Sequence, residues 1–124
     1  MNKMKEIGTK SVNGHMFTCS KCDKIHFEFN QIGIDFSSID ILRDFYNYLV
    51  KIDGVEFETL NKKTTYQRKI HIPFPNTAIK LLLSLNDLNE LITLIHKFIH
   101  KYNLKVQKRV FMRKLSNISS KQLN

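Results

Sequence analysis

Cys19 and Cys22 are the residues of this chain whose types and spacing best suit chemistry. Two thiolates three residues apart on a tight turn can bind one zinc ion, with zinc–sulfur distances of about 2.3 Å. A tetrahedral zinc site needs four ligands, so this pair supplies half of one. His15 and His26 flank the pair and extend it to a His-x3-Cys-x2-Cys-x3-His pattern. The pattern therefore indicates four candidate metal ligands.

A regular hairpin does not bring these four residues together. If the chain turns at residues 20–21, Cys19 faces Cys22 and His15 faces His26, and each histidine lies about 13 Å along its strand from the cysteines. Ligands of one zinc ion lie within about 4 Å of each other. A four-ligand site therefore requires the strands to bend sharply. The alternatives are a homodimer that shares one metal between two cysteine pairs, or two reduced cysteines in a turn with no cofactor.

A thiol redox enzyme is a further alternative for the same pair of cysteines. Redox cysteines need a lowered thiolate pKa, which usually comes from a helix that begins directly after the first cysteine. Here the pattern predicts a strand after the pair, although Lys21 and Lys24 are close in sequence. The chain also lacks a phosphate-binding glycine loop and a recognisable Ser/His/Asp set. We therefore predict that the protein is not an enzyme.

The positive charge of the chain is concentrated at its C-terminal end. The net charge is +9, and residues 91–124 contain eight of the 20 basic residues and no acidic residue. Such a block is typical of a solvated arm or of a site for an anionic partner, with Phe111 available to stack on a base. A general bias of the chain toward Lys, Asn and Ile would also explain it. The candidate anion or nucleic-acid contacts are Lys105, Lys108, Arg109, Arg113 and Lys114.

Alternating apolar residues predict the strands that carry the cysteines and histidines. Residues 25–29 and 32–36 alternate apolar with polar side chains, and Ser38 then precedes residues with helical apolar spacing. The order recurs with Ile70-His71-Ile72, a short strand near residues 78–83 and a helix that begins at Ser84. Two further strands are expected, one at residues 55–58 and one at residues 66–72, and the second contains Ile70-His71-Ile72. The predicted fold is therefore two-layer α+β, an antiparallel sheet of about five or six strands with two helices on one face and a possible ββα pseudo-repeat.

A chain of 124 residues is long enough for one domain. We expect a loose leader at residues 1–14, the α+β domain at residues 15–104 and a basic tail at residues 105–124. No apolar run approaches the roughly 20 residues that cross a membrane, and the N-terminal lysines precede no hydrophobic segment. These features predict a cytoplasmic protein with reduced cysteines and no membrane partner.

Taken together, the motifs resemble a small uncharacterised bacterial domain family of unknown function. The residues that carry the resemblance are Cys19-x-x-Cys22, Ile25-His26-Phe27-x-Phe29-Asn30, Phe36 with its helix, the second Ile-His-Ile strand and the helix that begins at Ser84. The resemblance spans residues 17–102 and leaves the basic tail outside. It implies no activity, so we expect a non-enzymatic binding or adaptor module. Its protein or nucleic-acid partner would contact the polar sheet face and the tail, and a small zinc-binding protein is the alternative.

Overall fold

The computed structural model describes residues 6–122, with side chains for residues 6–117. Within this range six strands form two antiparallel sheets, one of four strands and one of two, accompanied by three helices. The predicted α+β class is confirmed. The elements are β1 (Gly8–Lys10), β2 (Gly14–Thr18), β3 (Ile25–Phe29), β4 (Ile32–Phe36), α1 (Ile39–Val50), α2 (Gly54–Leu60), β5 (Ile70–Pro73), β6 (Lys80–Leu83) and α3 (Leu85–Gln122).

The four strands of the larger sheet are neighbours in chain order, and their side chains separate into a buried face and a polar face. Met16 pairs with Phe27, and both are buried. In the adjacent row Phe17 pairs with His26, which in turn pairs with Asp35. Because successive side chains of a strand point to opposite faces, these two rows lie on opposite sides of the sheet. The polar face therefore carries the candidate site.

The ββα unit occurs twice, as the sequence predicted: β3, β4 and α1 are matched by β5, β6 and α3. Each helix begins at a serine cap that satisfies a free backbone N–H group. The Ser38 hydroxyl accepts a hydrogen bond from Ile41 N at 3.2 Å. The Ser84 hydroxyl accepts from Asp87 N at 3.0 Å, while the Asp87 carboxylate accepts from Ser84 N at 2.9 Å. This reciprocal pair is a capping box with Asp in place of Glu.

One hydrophobic core joins the two sheets and the helices. Phe27 of the first unit and Ile72 of the second are each 2% exposed and belong to the same buried cluster. Burial of a large apolar side chain contributes about 1.5 to 3 kcal/mol to stability, which is what attaches the helices to the strands. Other members of the cluster come from all parts of the fold: Ile7, Met16, Ile25, Phe29, Phe36, Leu42, Leu49, Ile70, Leu81, Leu83, Leu88, Leu91, Leu94, Ile95 and Phe98.

The strand predicted at residues 55–58 is wrong, because this segment forms α2. The Asp53 carboxylate accepts a hydrogen bond from Glu56 N at 3.0 Å and so caps the first turn of a helix. The alternation of Val55-Glu-Phe-Glu is too short to outweigh this cap. The strand predicted at residues 66–72 is present but begins four residues later, since β5 begins at Ile70.

Two other features of the fold differ from the prediction. The strands are divided between two sheets instead of one, because β5 and β6 pair with each other and not with β4 in the described part of the chain. The leader at residues 1–14 is not entirely loose, since Gly8–Lys10 forms β1 and pairs with β2. Residues 1–5 lie outside the described range.

The basic tail predicted at residues 105–124 continues α3 as far as Gln122, and this helix has 38 residues and would span about 57 Å. Residues 123–124 lie outside the described range. No Gly or Pro occurs after Leu85 to interrupt it. Tyr102 is partly buried, whereas the residues beyond it are mostly exposed. None of the helices in the described range is apolar over enough of its length to cross a bilayer.

Glu90 of α3 holds the turn between β1 and β2 against the helix. Its carboxylate accepts hydrogen bonds from the Ser11 hydroxyl at 2.5 Å, from Asn13 N at 2.7 Å and from Asn13 Nδ2 at 2.8 Å. Burial alone raises the pKa of Glu90, but these donors favour the ionised form more strongly and hold the pKa below its usual value. The contact therefore couples β1 to the core through a charged group.

Candidate metal site

The loop between β2 and β3 is longer than the sequence predicted. Phe17 pairs with His26 and Thr18 pairs with Ile25, so residues 19–24 form the loop. The predicted pairing of His15 with His26 is wrong by two residues. A shift of two residues in the pairing register of β2 and β3 keeps His26 on the polar face, and it brings His26 closer to the cysteines.

Three of the four candidate ligands converge in this loop. The Sγ atoms of Cys19 and Cys22 and a ring nitrogen of His26 all lie within 4.8 Å of one another. Cys22 Sγ and His26 Nε2 are 3.1 Å apart. Both cysteines are free thiols and are partly buried. Because tetrahedral zinc separates its ligand atoms by about 4 Å, small side-chain movements would seat an ion between these donors.

Asp35 fixes the orientation of the His26 ring. Asp35 lies opposite His26 on β4, and its Oδ1 atom is 2.8 Å from His26 Nδ1. A carboxylate in this position accepts a hydrogen bond from Nδ1–H and so favours the tautomer whose Nε2 atom carries the free lone pair. Nε2 is the atom that faces Cys22. The arrangement therefore presents the nitrogen that a metal would need.

The backbone of the loop supports Cys19. Lys21 N lies 3.4 Å from Cys19 Sγ and donates to it. The backbone of the loop therefore places an amide N–H group beside one of the two candidate donor sulfurs.

His15 is not part of this group. It lies on the same polar face as His26 but pairs with Glu28. This pair is two residues farther from the loop along each strand than the pair of Phe17 and His26. The ring of Phe17 stacks on His15 at a centroid distance of 4.6 Å and lies 5.2 Å from the His26 ring. The aromatic ring therefore separates the two histidines. The donor group in the described residues therefore has three members, and a tetrahedral ion held by them would need one further ligand.

A groove of about 400 Å³ borders the cysteines. It lies between the loop, the start of α1 and α3, and both Cys19 and Cys22 line it. Lys24 of the loop and Arg109 of α3 line it as well. The cysteine turn and the basic tail were predicted as separate candidate sites. In the fold, Arg109 of the tail lines the same groove as the two cysteines.

The other tail cations lie elsewhere. Lys105 and Lys108 line a second groove of about 530 Å³, whose other walls include Glu6 and Lys101. Arg113 and Lys114 are exposed. Of the five predicted anion-binding residues, Arg109 therefore contributes to the groove beside the cysteines and the others do not line it.

Among the described residues, the histidines other than His26 do not join the donor group. His71 lies in the smaller sheet, where its ring packs edge-on against Tyr66 at 4.8 Å. His96 lies 3.2 Å from the Tyr46 hydroxyl through its Nδ1 atom. Sequence reasoning missed Asp35, although its position could have been found. A two-residue turn at residues 30–31 places Asp35 directly opposite His26 on the polar face.

Two kinds of chemistry fit the row formed by Cys22, His26 and Asp35. Soft thiolates with an imidazole form a site for zinc or a similar transition metal. A cysteine beside a histidine that a carboxylate orients is also the arrangement of a thiol nucleophile with its base. Cys19 distinguishes these possibilities, because a metal would use it as a third donor.

Comparison with known proteins places the chain in a family without assigning it an activity. A model described as a family of unknown function, DUF6686, matches residues 1–115. The chain belongs to this family. The match begins before the range expected at residues 17–102 and extends beyond it, so it includes the five predicted anion-binding residues of the tail. No curated protein and no solved structure matches the chain.

Proposed function

We propose that this DUF6686 protein binds one zinc ion through Cys19, Cys22 and His26. The observation that supports the proposal is the convergence of the three donors within 4.8 Å, with His26 Nε2 turned toward Cys22. Thiolate and imidazole ligands select zinc over magnesium or calcium, which prefer oxygen donors. The Asp35 carboxylate would hold the histidine ring in its metal-binding orientation.

We favour metal binding over catalysis by a thiol nucleophile because of Cys19. A nucleophile requires one thiolate and one base, which Cys22 and His26 would supply without Cys19. A dithiol redox pair would use both cysteines but would not need to bind metal stoichiometrically. The proposed role is therefore metal binding, and metal content is the property that separates it from both thiol enzymes.

The test is metal analysis of the purified, reduced protein by mass spectrometry. We expect one zinc per chain, and we expect C19S, C22S and H26A each to lose most of it. H15A is the matched control, since His15 lies on the same face outside the donor group, and it should keep the metal. A folded, reduced protein that neither contains zinc nor takes it up would refute the proposal.

A nucleic-acid contact is the second candidate function, with the protein-partner alternative also retained. Its support is the exposed part of α3, where Phe111 is 61% exposed among cations, and residues 91–124 contain no acidic residue. Lysines and arginines that replace counterions on phosphates give affinity that falls steeply with salt. The polar face of the larger sheet would complete the contact.

A salt titration of binding to mixed-sequence nucleic acid tests this second function. We expect weak sequence preference, and we expect R113Q to reduce the slope of log affinity against log salt by roughly one. An absence of binding at low salt would exclude nucleic acid and leave a protein partner for the same surface.

A further inference from the structure

The three donors leave one position of a tetrahedral ion open. In zinc sites, three protein ligands with an open fourth position mark an ion that binds a further molecule, whereas four protein ligands mark a purely structural ion. Among the described residues the donor group contains Cys19, Cys22 and His26, and His15 is excluded from it by the ring of Phe17. What occupies the open position depends on what surrounds it.

The groove beside the cysteines provides access to that position. Cys19 and Cys22 both line the groove, while His26 approaches from the polar face of the sheet, where Asp35 holds it. An ion held between these donors therefore borders the groove. The volume of about 400 Å³ lies within the range of roughly 300 to 1,000 Å³ that is usual for small-molecule sites.

The charge of the groove favours an anion. A zinc ion with two thiolates and one neutral imidazole has no net charge, so the remaining side chains decide the sign. Among the side chains that line the groove, Lys24 and Arg109 are basic and Asp23 is acidic, so cationic groups outnumber anionic ones. The planar guanidinium of Arg109 suits the paired oxygens of a carboxylate or a phosphate.

We infer that the groove binds a small oxyanion, with one oxygen on the metal at its fourth position and another on Arg109. This inference rests on the proposed metal site and names its ligand class, a carboxylate or a phosphate. The apolar side chains of Ile25, Ile39 and Tyr102 also line the groove. They would pack against the body of an organic anion. The last part of α3 thus serves the metal site as well as the surface.

Cobalt(II) is the probe for this test, because it replaces zinc in thiolate sites and its visible absorption reports changes in its ligands. The full-length protein is loaded with cobalt and titrated with acetate and, separately, with inorganic phosphate at constant ionic strength. We expect a saturable spectral change with at least one anion. The anion that binds more tightly identifies whether the natural ligand carries a carboxylate or a phosphate.

The variants R109Q and R113Q form a matched pair, since both remove one positive charge from the last part of α3. Arg113 is exposed and does not line the groove. We expect R109Q to bind the anion about tenfold more weakly, as for the loss of one charge-assisted contact. R113Q should change the affinity less than twofold. K24Q provides an independent variant from the loop and should weaken binding about threefold, as for a less direct charge.

Two outcomes would overturn the inference while leaving the metal site intact. One is a cobalt-loaded protein whose spectrum responds to neither anion. The other is an equal loss of affinity in R109Q and R113Q, which would indicate only general electrostatic attraction. A protein that shows no sulfur-to-cobalt absorption band and contains no zinc by metal analysis would refute the metal site and the inference together.

Discussion

The substitution Asp35→Asn tests whether the carboxylate orients His26 for metal binding. The Oδ1 to Nδ1 distance of 2.8 Å is that of a direct hydrogen bond, and the side chains of His26 and Asp35 are 24% and 56% exposed. Loss of such a partner usually lowers metal affinity by about 10- to 100-fold, or roughly 1.4 to 2.7 kcal/mol. Because Asp35 is more than half exposed, solvent screens the contact, and we expect a loss near the lower limit, about tenfold.

The assay is competition for zinc between the reduced protein and a chromogenic chelator at neutral pH. H26A removes a ligand and should lose more affinity than D35N. The matched control is E28Q, which removes one negative charge from the same sheet face at a residue that pairs with His15 instead of His26. An unchanged affinity in D35N, or an equal loss in E28Q, would refute the argument that Asp35 acts through the His26 ring.

Three other predictions concern the thiols, one carboxylate and one glycine. Without metal, iodoacetamide should modify both Cys19 and Cys22, and one equivalent of zinc should protect both thiols, as measured by mass spectrometry. Modification at the same rate with and without zinc would contradict the proposed metal site. Hydrogen bonds hold the pKa of Glu90 below its usual value of 4.5 despite burial, so its contribution to stability is present above that pH and lost as the pH falls through the folded pKa. Urea unfolding of E90Q should therefore vary less between pH 5 and pH 3 than that of the wild type, and parallel curves would contradict this. A Cβ on Gly14 would lie 2.8 Å from Leu94 Cδ2 and 3.0 Å from Phe29 Cδ2, so G14A should lose about 1 to 3 kcal/mol of unfolding free energy. A Cβ on Gly33 would have its nearest neighbour at 3.8 Å, so the control G33A should change the unfolding free energy by less than about 0.5 kcal/mol.

Local patterns in the sequence were sufficient for the general fold. Alternation over residues 25–36 determines which side chains of β3 and β4 face the core, because a strand exposes its two faces in turn. Ser38 and Ser84 identify the starts of two helices because their hydroxyls cap free N–H groups. These signals depend on neighbours within a few residues, and they yielded the repeated ββα unit.

The same patterns were insufficient where several conformations satisfy them. Val55-Glu-Phe-Glu alternates like a strand, yet Asp53 caps a helix there. The two-residue hairpin at residues 20–21 and the observed loop at residues 19–24 leave the same side chains on the same face, because they differ by an even number of residues. Periodicity cannot distinguish them, but the observed register brings His26 to Cys22.

The sequence by itself determined the ligand types, the faces of the strands and the charge of the last segment, since each depends on residue identity and short spacing. Tertiary structure decided which ligands meet. The length of the β2–β3 loop sets the distance between His26 and Cys22, and the packing of α3 along the larger sheet brings Arg109 to a groove lined by residues near the other end of the chain. Such long-range proximity arises from burial of the shared core, which no local pattern encodes.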